Sequence, residues 1–154
     1  MAGIIANAVT AKLSLVAATQ KTLLQITAAA NHRVKILGWS IFFDEEIGDA
    51  TPSIPLTVTI GKQTGGTGTV NTPVKVGVYT EALQTTAKDN FTAEPTVTAM
   101  SSKVINAQTG YEILFPMGQE IILAGSEILG ITVTPGATIS TGGLKAIANI
   151  LFEE

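Results

Sequence analysis

Chemistry in this 154-residue chain would have to be built around very few groups, because His32 is the only histidine and there is no cysteine. Disulfides, thiolate nucleophiles and Cys-based zinc or iron-sulfur sites are therefore excluded, and any imidazole base or ligand must be His32 itself. Its setting, Asn31-His32-Arg33-Val34, opens an apolar run. That position suits a turn residue whose ring caps a backbone group better than it suits a general base. Asp44, Glu45, Glu46 and Asp49 gather four carboxylates that could hold a hard cation through oxygen. They lack the regular spacing and the glycine of an EF-hand loop, so they read as a solvated loop or as charges at a subunit contact.

The glycine-rich stretch 61–69 resembles a phosphate loop only superficially. Leu56 stands where the first Gly of G-x-x-x-x-G-K-[ST] belongs and Gln63 where the final hydroxyl belongs, so the stretch is expected to be a flexible hairpin tip. Ser126, between Gly125 and Glu127, lacks the G-x-S-x-G elbow and reads as a turn residue. Asn90-Phe91-Thr92 is a nominal glycosylation sequon, a pattern too short to signify without evidence of secretion. No catalytic, cofactor or metal site is predicted, and the expectation is a protein that is not an enzyme.

Charged residues are only 14% of the chain while apolar ones are 45%; about 25% charged is usual for a soluble domain. The deficit is filled by Thr, Ala and Gly, a weakly hydrated surface that favours oligomerisation. A net charge of -3 with nine scattered Lys and Arg offers no basic stripe, so direct nucleic-acid binding is not expected. The uncharged stretch 128–144 contains Pro135, Gly136, Gly142 and Gly143 and would not form a membrane-spanning helix. The first residues lack a basic region ahead of their apolar part, and Lys12 interrupts the run, so no cleaved leader is predicted.

The elements that must position these groups read as strands. In 33–43, Val34, Ile36 and Phe42 fall on one face by period two, and Leu37, Trp39, Ile41 and Phe43 on the other, which predicts a strand covered on both sides. Residues 55–62 and 72–80 alternate Val, Ile or Leu with Thr, Lys, Gly or Tyr and read as half-buried strands. Residues 111–115, 119–125, 127–135 and 144–154 supply four more, separated by turn residues. Residues 12–30 alternate well enough to be extended, whereas 81–90 could make one or two helical turns. The prediction is all-β: a single antiparallel β-sandwich, jelly-roll-like, over residues 21–154, preceded by an extended N-terminal arm, residues 1–20.

The arm carries Ile4, Ile5, Val9, Leu13 and Leu15 with almost no charge. It must pack on its own sandwich or on a neighbour's sheet edge. Together with Leu37, Trp39, Ile41 and Phe43, these residues form the candidate subunit interface.

The order AAANHRVKILGWSIFFD (28–44), TPVKVGVYTEALQTTA (72–87), TAEPT (92–96), TGYEILFPMGQEIILAG (109–125), LGI (129–131) and LFEE (151–154) resembles a group of small virion structural proteins of tailed bacteriophages. The resemblance spans residues 22–154, and its motifs are structural. After IFFD this chain has Glu45 and Glu46 in place of the single acid and Gly expected there. The resemblance implies a head decoration or cement protein on the capsid exterior, made in the host cytoplasm. It also implies a homo-oligomer, with a trimer favoured, contacting the major capsid protein lattice. The alternatives are a self-assembling filament, tube or surface-layer subunit and, lower, a carbohydrate-binding sandwich module.

Overall fold

The computed structural model describes residues 3–45, 55–136, 139 and 143–154. The chain begins with β1 (Ile5–Val9), β2 (Leu13–Ser14), β3 (Lys21–Thr27), β4 (Val34–Glu45), β5 (Pro55–Thr64) and β6 (Thr67–Asn71). It continues with β7 (Val74–Lys75), β8 (Thr86–Ala93), β9 (Thr96–Asn106), β10 (Tyr111–Leu114), β11 (Ile121–Leu123), β12 (Ile128–Pro135) and β13 (Leu144–Glu153). No helix occurs among the described residues. The helical turns considered for 81–90 are absent, because that segment runs extended into β8.

Two antiparallel sheets face each other. The first has the order β10-β4-β13-β1-β7, with β11 also on β4 and β2 on β13; the second has the order β6-β8-β3-β12-β5-β9. Count β1, β3, β4, β5, β9, β10 with β11, β12 and β13 as eight principal strands. The first sheet then holds the first, eighth, third and sixth, and the second holds the second, seventh, fourth and fifth. That connectivity is the double Greek key of a jelly roll.

The alternation that predicted the fold also builds its core. Along β13, Leu144, Ala146, Ala148, Ile150 and Phe152 are buried while each residue between them is half-buried. They meet Leu24, Ile26, Leu56, Val58, Leu129 and Ile131 of the opposite sheet in one contiguous apolar cluster. The N-terminal arm packs on its own sandwich, as a strand of the first sheet: β1 pairs along its length with β13 from Ile5↔Glu153 to Val9↔Asn149, and β2 pairs with β13 at Ala146↔Leu13. Ala6, Ala8, Leu13 and Leu15 are buried in the shared core, so these residues of the arm are covered by its own chain, while Val9 and Val16 stay exposed.

The expectation of two covered faces on β4 is corrected by a bulge. The β4–β13 register shifts between Leu151↔Gly38 and Phe152↔Ile36, leaving Leu37 without an opposite residue. One extra residue reverses the phase of everything after it. Val34 and Ile36 before the bulge, and Trp39 and Ile41 after it, therefore all face the core, while Phe42 turns outward and is 44% exposed.

Residues 72–80 correct a second expectation. Only Val74 and Lys75 pair, with β1, and Gly77 takes φ +122, a conformation that ends an extended run. Val74, Val76 and Val78 are exposed, Val78 fully at 101%.

The glycine-rich stretch is not a hairpin tip, since β5 and β6 are not neighbours. The β5–β9 ribbon ends at Thr64↔Thr96. It continues through Gly65 and Gly66 on one arm, and Glu94 and Pro95 on the other, into the β6–β8 ribbon, and β8 then pairs with β3. Both glycines have positive φ, +72 and +87, as a sharp corner requires. The bend carries the ribbon to the β3 edge of the second sheet, with the Gly65 carbonyl over Gln25. Gln25 and Gln63 are thereby buried at 1% and 3% exposure. Gln25 Nε2 donates to Gln63 Oε1 at 3.1 Å and to the Gly65 carbonyl at 3.4 Å.

Candidate interaction face

Among the described residues no group of three or more His, Asp or Glu is placed to hold a metal ion. Of the acidic quartet, Asp44 pairs with Lys12, whose ammonium holds its carboxyl below the usual carboxylate range. The Glu45 side chain, Glu46 and Asp49 lie outside the described residues. Ser126 sits in the turn before β12 with its N–H donating to the Ala28 carbonyl at 3.1 Å, and Asn90 is exposed at φ +45 in β8.

His32 closes a turn, its backbone N–H donating to the Ala29 carbonyl at 3.1 Å. Its Nδ1 is buried with no partner among the described residues. The ring lines a surface depression with Glu81 and Glu154. Both Glu154 carboxylate oxygens are already used, accepting the Gln84 and Thr85 N–H groups at 2.7 Å each. Burial pushes the Glu154 carboxyl up, but the hydrogen bonds from residues 84 and 85 and the nearby His32 outweigh it and hold the pKa below the ordinary value. A carboxylate so occupied ties residues 84 and 85 to the end of β13, the role of a structural clasp rather than of a general base.

What remains is the outer face of the first sheet, which the paired registers order into rows. One row runs Val74, Asn7, Leu151, Gly38, Leu114. The next runs Val9, Asn149, Ser40, Glu112, and beyond it Ile147 stands opposite Phe42. Glu112 is the single charged side chain in these rows. The rows are bounded at one end by the Lys35–Glu153 pair, 3.2 Å apart, and at the other by Lys12–Asp44.

In the middle of the face lies a hollow of about 230 Å³, lined by Asn7, Ser40, Phe42, Glu112, Leu114, Asn149 and Leu151 around Gly38. Gly38 is required there: a Cβ would stand 2.6 Å from the Ile113 carbonyl oxygen. Asn149 Nδ2 donates to Ser40 Oγ at 2.9 Å, while Asn7 Oδ1 is buried without a partner among the described residues. Apolar walls with a few convergent polar groups are the composition of a binding surface, though the volume is below the roughly 300–1,000 Å³ of small-molecule pockets.

The candidate interface residues fall unevenly on this face. Leu13, Leu15, Trp39 and Ile41 are buried in the chain's own core, so a subunit cannot reach them. Ile4 and Phe43 are half-buried, Phe43 against the core, and Leu37 sits half-buried in the bulge. Ile5 and Val9 lie on the outer face of β1, Val9 exposed. Phe42, Leu114, Leu151, Asn7 and Asn149, which make the hollow, are not among those candidates. The signal for Phe42 was present: Val34, Ile36, Trp39 and Ile41 keep one phase only if an extra residue is inserted beside Gly38.

Compared with protein-family models, with curated proteins and with solved structures, the chain matches none.

Proposed function

We propose that this protein is a non-enzymatic virion structural protein, a jelly-roll subunit that decorates or cements a bacteriophage capsid through subunit contacts. The observation that carries the reading is the outer face of the first sheet. Five strands present Val, Leu, Phe, Asn and Ser with one carboxylate between two terminal ion pairs. Such a face is poorly hydrated in isolation and well suited to burial against protein. Contacts of this kind, repeated around a lattice, gain strength from multiplicity without any chemistry. The virion assignment rests on the sequence resemblance to tailed-phage proteins. Electron microscopy of native particles tests it: density for this subunit on the capsid exterior is expected, and purified particles lacking it would overturn the reading.

A second reading, a filament or surface-layer subunit, draws support from β9. This edge strand of 11 residues pairs only with β5 and carries a single charge, Lys103. Two devices blunt it as a template for strand addition. A bulge at the Ile60/Gly61 register shift opposes pairing, and Lys103 points toward the sandwich, its Nζ 5.2 Å from the Tyr111 ring centre. Decoration is therefore preferred.

A further inference from the structure

We infer that the outer face of the first sheet pairs with the same face of a second copy, with Arg33 of each copy entering the hollow of the other. The inference rests on the proposed role of that face in subunit contact and names the partner. Two observations about charge lead to it. Glu112, at the hollow, has no ion pair among the described residues, and neither does Arg33, the only arginine of the chain. Both are exposed, and both belong to the same face. Val34 points into the core, so Arg33 points outward, where it shares a depression with Lys35, Ile122 and Glu153, themselves one outer row.

The face thus carries an unpaired cation at one end of β4 and an unpaired anion beyond its middle. From Arg33 to Ser40, which stands beside Glu112, the strand runs about 20 Å. A two-fold axis crossing the strands near Leu37 lays each Arg33 over the other copy's hollow. Any such contact is reciprocal, so two guanidinium–carboxylate pairs form at once.

The hollow's chemistry suits a guanidinium. Glu112 supplies the charge, and the exposed Phe42 ring a surface on which the planar group stacks. Between the two hollows, Leu151, Leu114 and Val74 supply apolar contact. Five strands at ~4.8 Å spacing over a ~25 Å length give roughly 600 Å² per copy. The total for two copies is about 1,200 Å², the lower end of specific interfaces.

Sedimentation of the wild type, Arg33→Glu, Glu112→Arg and the double variant tests the proposal. The wild type is expected to form a concentration-dependent dimer. Each single change should weaken it at least ~10-fold, because a charge is left facing its like. The double change should recover affinity to within ~3-fold of wild type. Both positions are exposed, so unchanged thermal unfolding of the monomer is expected; the milder Arg33→Gln and Glu112→Gln pair should shift association in the same direction. A wild type that stays monomeric, singles that associate like wild type, or a double no tighter than the singles would overturn the inference. The capsid reading would survive any of these, since it is tested separately on particles.

Discussion

The two sheets of this sandwich treat their outer faces differently. The second sheet is covered in part by its own chain: the bent β5–β9/β6–β8 ribbon closes over Gln25 and Gln63, and Phe91 is buried there, outside the main core cluster, while Thr57 and most of β9 stay exposed. The first sheet has no such cover among the described residues, and its carboxamides, Asn7 and Asn149, line an open hollow instead. Both faces are floored by a glycine. Where a Cβ on Gly130 would stand 2.2 Å from Gln63 Oε1, one on Gly38 would meet Leu114 Cδ2 and the Ile113 carbonyl oxygen. The contrast shows that polar side chains on a sheet exterior do not mark a solvated surface. On one side they are a buried second layer, and on the other the same chemistry lines an open hollow.

The largest expected effect separates the two sides of one strand. Trp39 is 5% exposed and its ring centre lies 5.0 Å from that of Tyr111. Trp39→Ala should cost the monomer about 3–5 kcal/mol, the range for emptying a large aromatic site in a core. Phe42→Ala, three residues on and beyond the bulge, should cost the monomer less than ~1 kcal/mol while weakening self-association. Urea unfolding paired with sedimentation reads both quantities. Equal losses of monomer stability at the two positions would break the assignment of faces.

That assignment marks how far the sequence carries. Period-two alternation on β5 and β13 is enough to place the sandwich, because an apolar residue at every second position of an extended strand turns one whole face toward a core. It fails at β4, where one inserted residue inverts the phase, and the interface expected at Trp39 and Ile41 becomes core. It fails again at Val74, Val76 and Val78, which alternate well but have only β1 to pair with, at two residues. It passes over β9, whose Ser and Thr residues on an edge produce no amphipathic contrast although the strand is 11 residues long. The hollow belongs to the same class of loss. Asn7, Ser40, Glu112 and Asn149 come from four different strands, and only the strand order brings them together.

The covered face predicts the next effect. Gln63 Oε1 accepts from buried Gln25, so Gln25→Ala should leave a buried amide without its donor and cost roughly 1–3 kcal/mol. Replacing both by Met keeps the volume and removes both polar groups, and should recover most of the loss. On the open face, Ser40→Ala breaks a hydrogen bond of similar length to Asn149, yet the freed amide borders an open hollow and can reach water. Its expected cost is below ~0.5 kcal/mol. Thermal unfolding of these variants measures the difference, and a Ser40→Ala loss as large as that of Gln25→Ala would show that the hollow is closed in solution.

The smallest effect lies at the rim where the two regions meet. Glu154 clasps the N–H groups of residues 84 and 85, just before β8 of the second sheet, to the end of β13 of the first. Its folded-state pKa is held down, against the opposing effect of burial, by those hydrogen bonds and by His32. A carboxyl with a lowered folded pKa binds its proton more readily in the unfolded chain. Its contribution is therefore complete above the unfolded value and lost as pH falls through the folded one. Glu154→Gln should consequently be less stable than wild type at pH 7, with the gap narrowing as the pH is lowered through the carboxylate range. A gap that stays constant from neutral pH to about pH 3, followed by thermal unfolding, would mean that the clasp works by shape alone and that its charge contributes nothing to joining the two sheets.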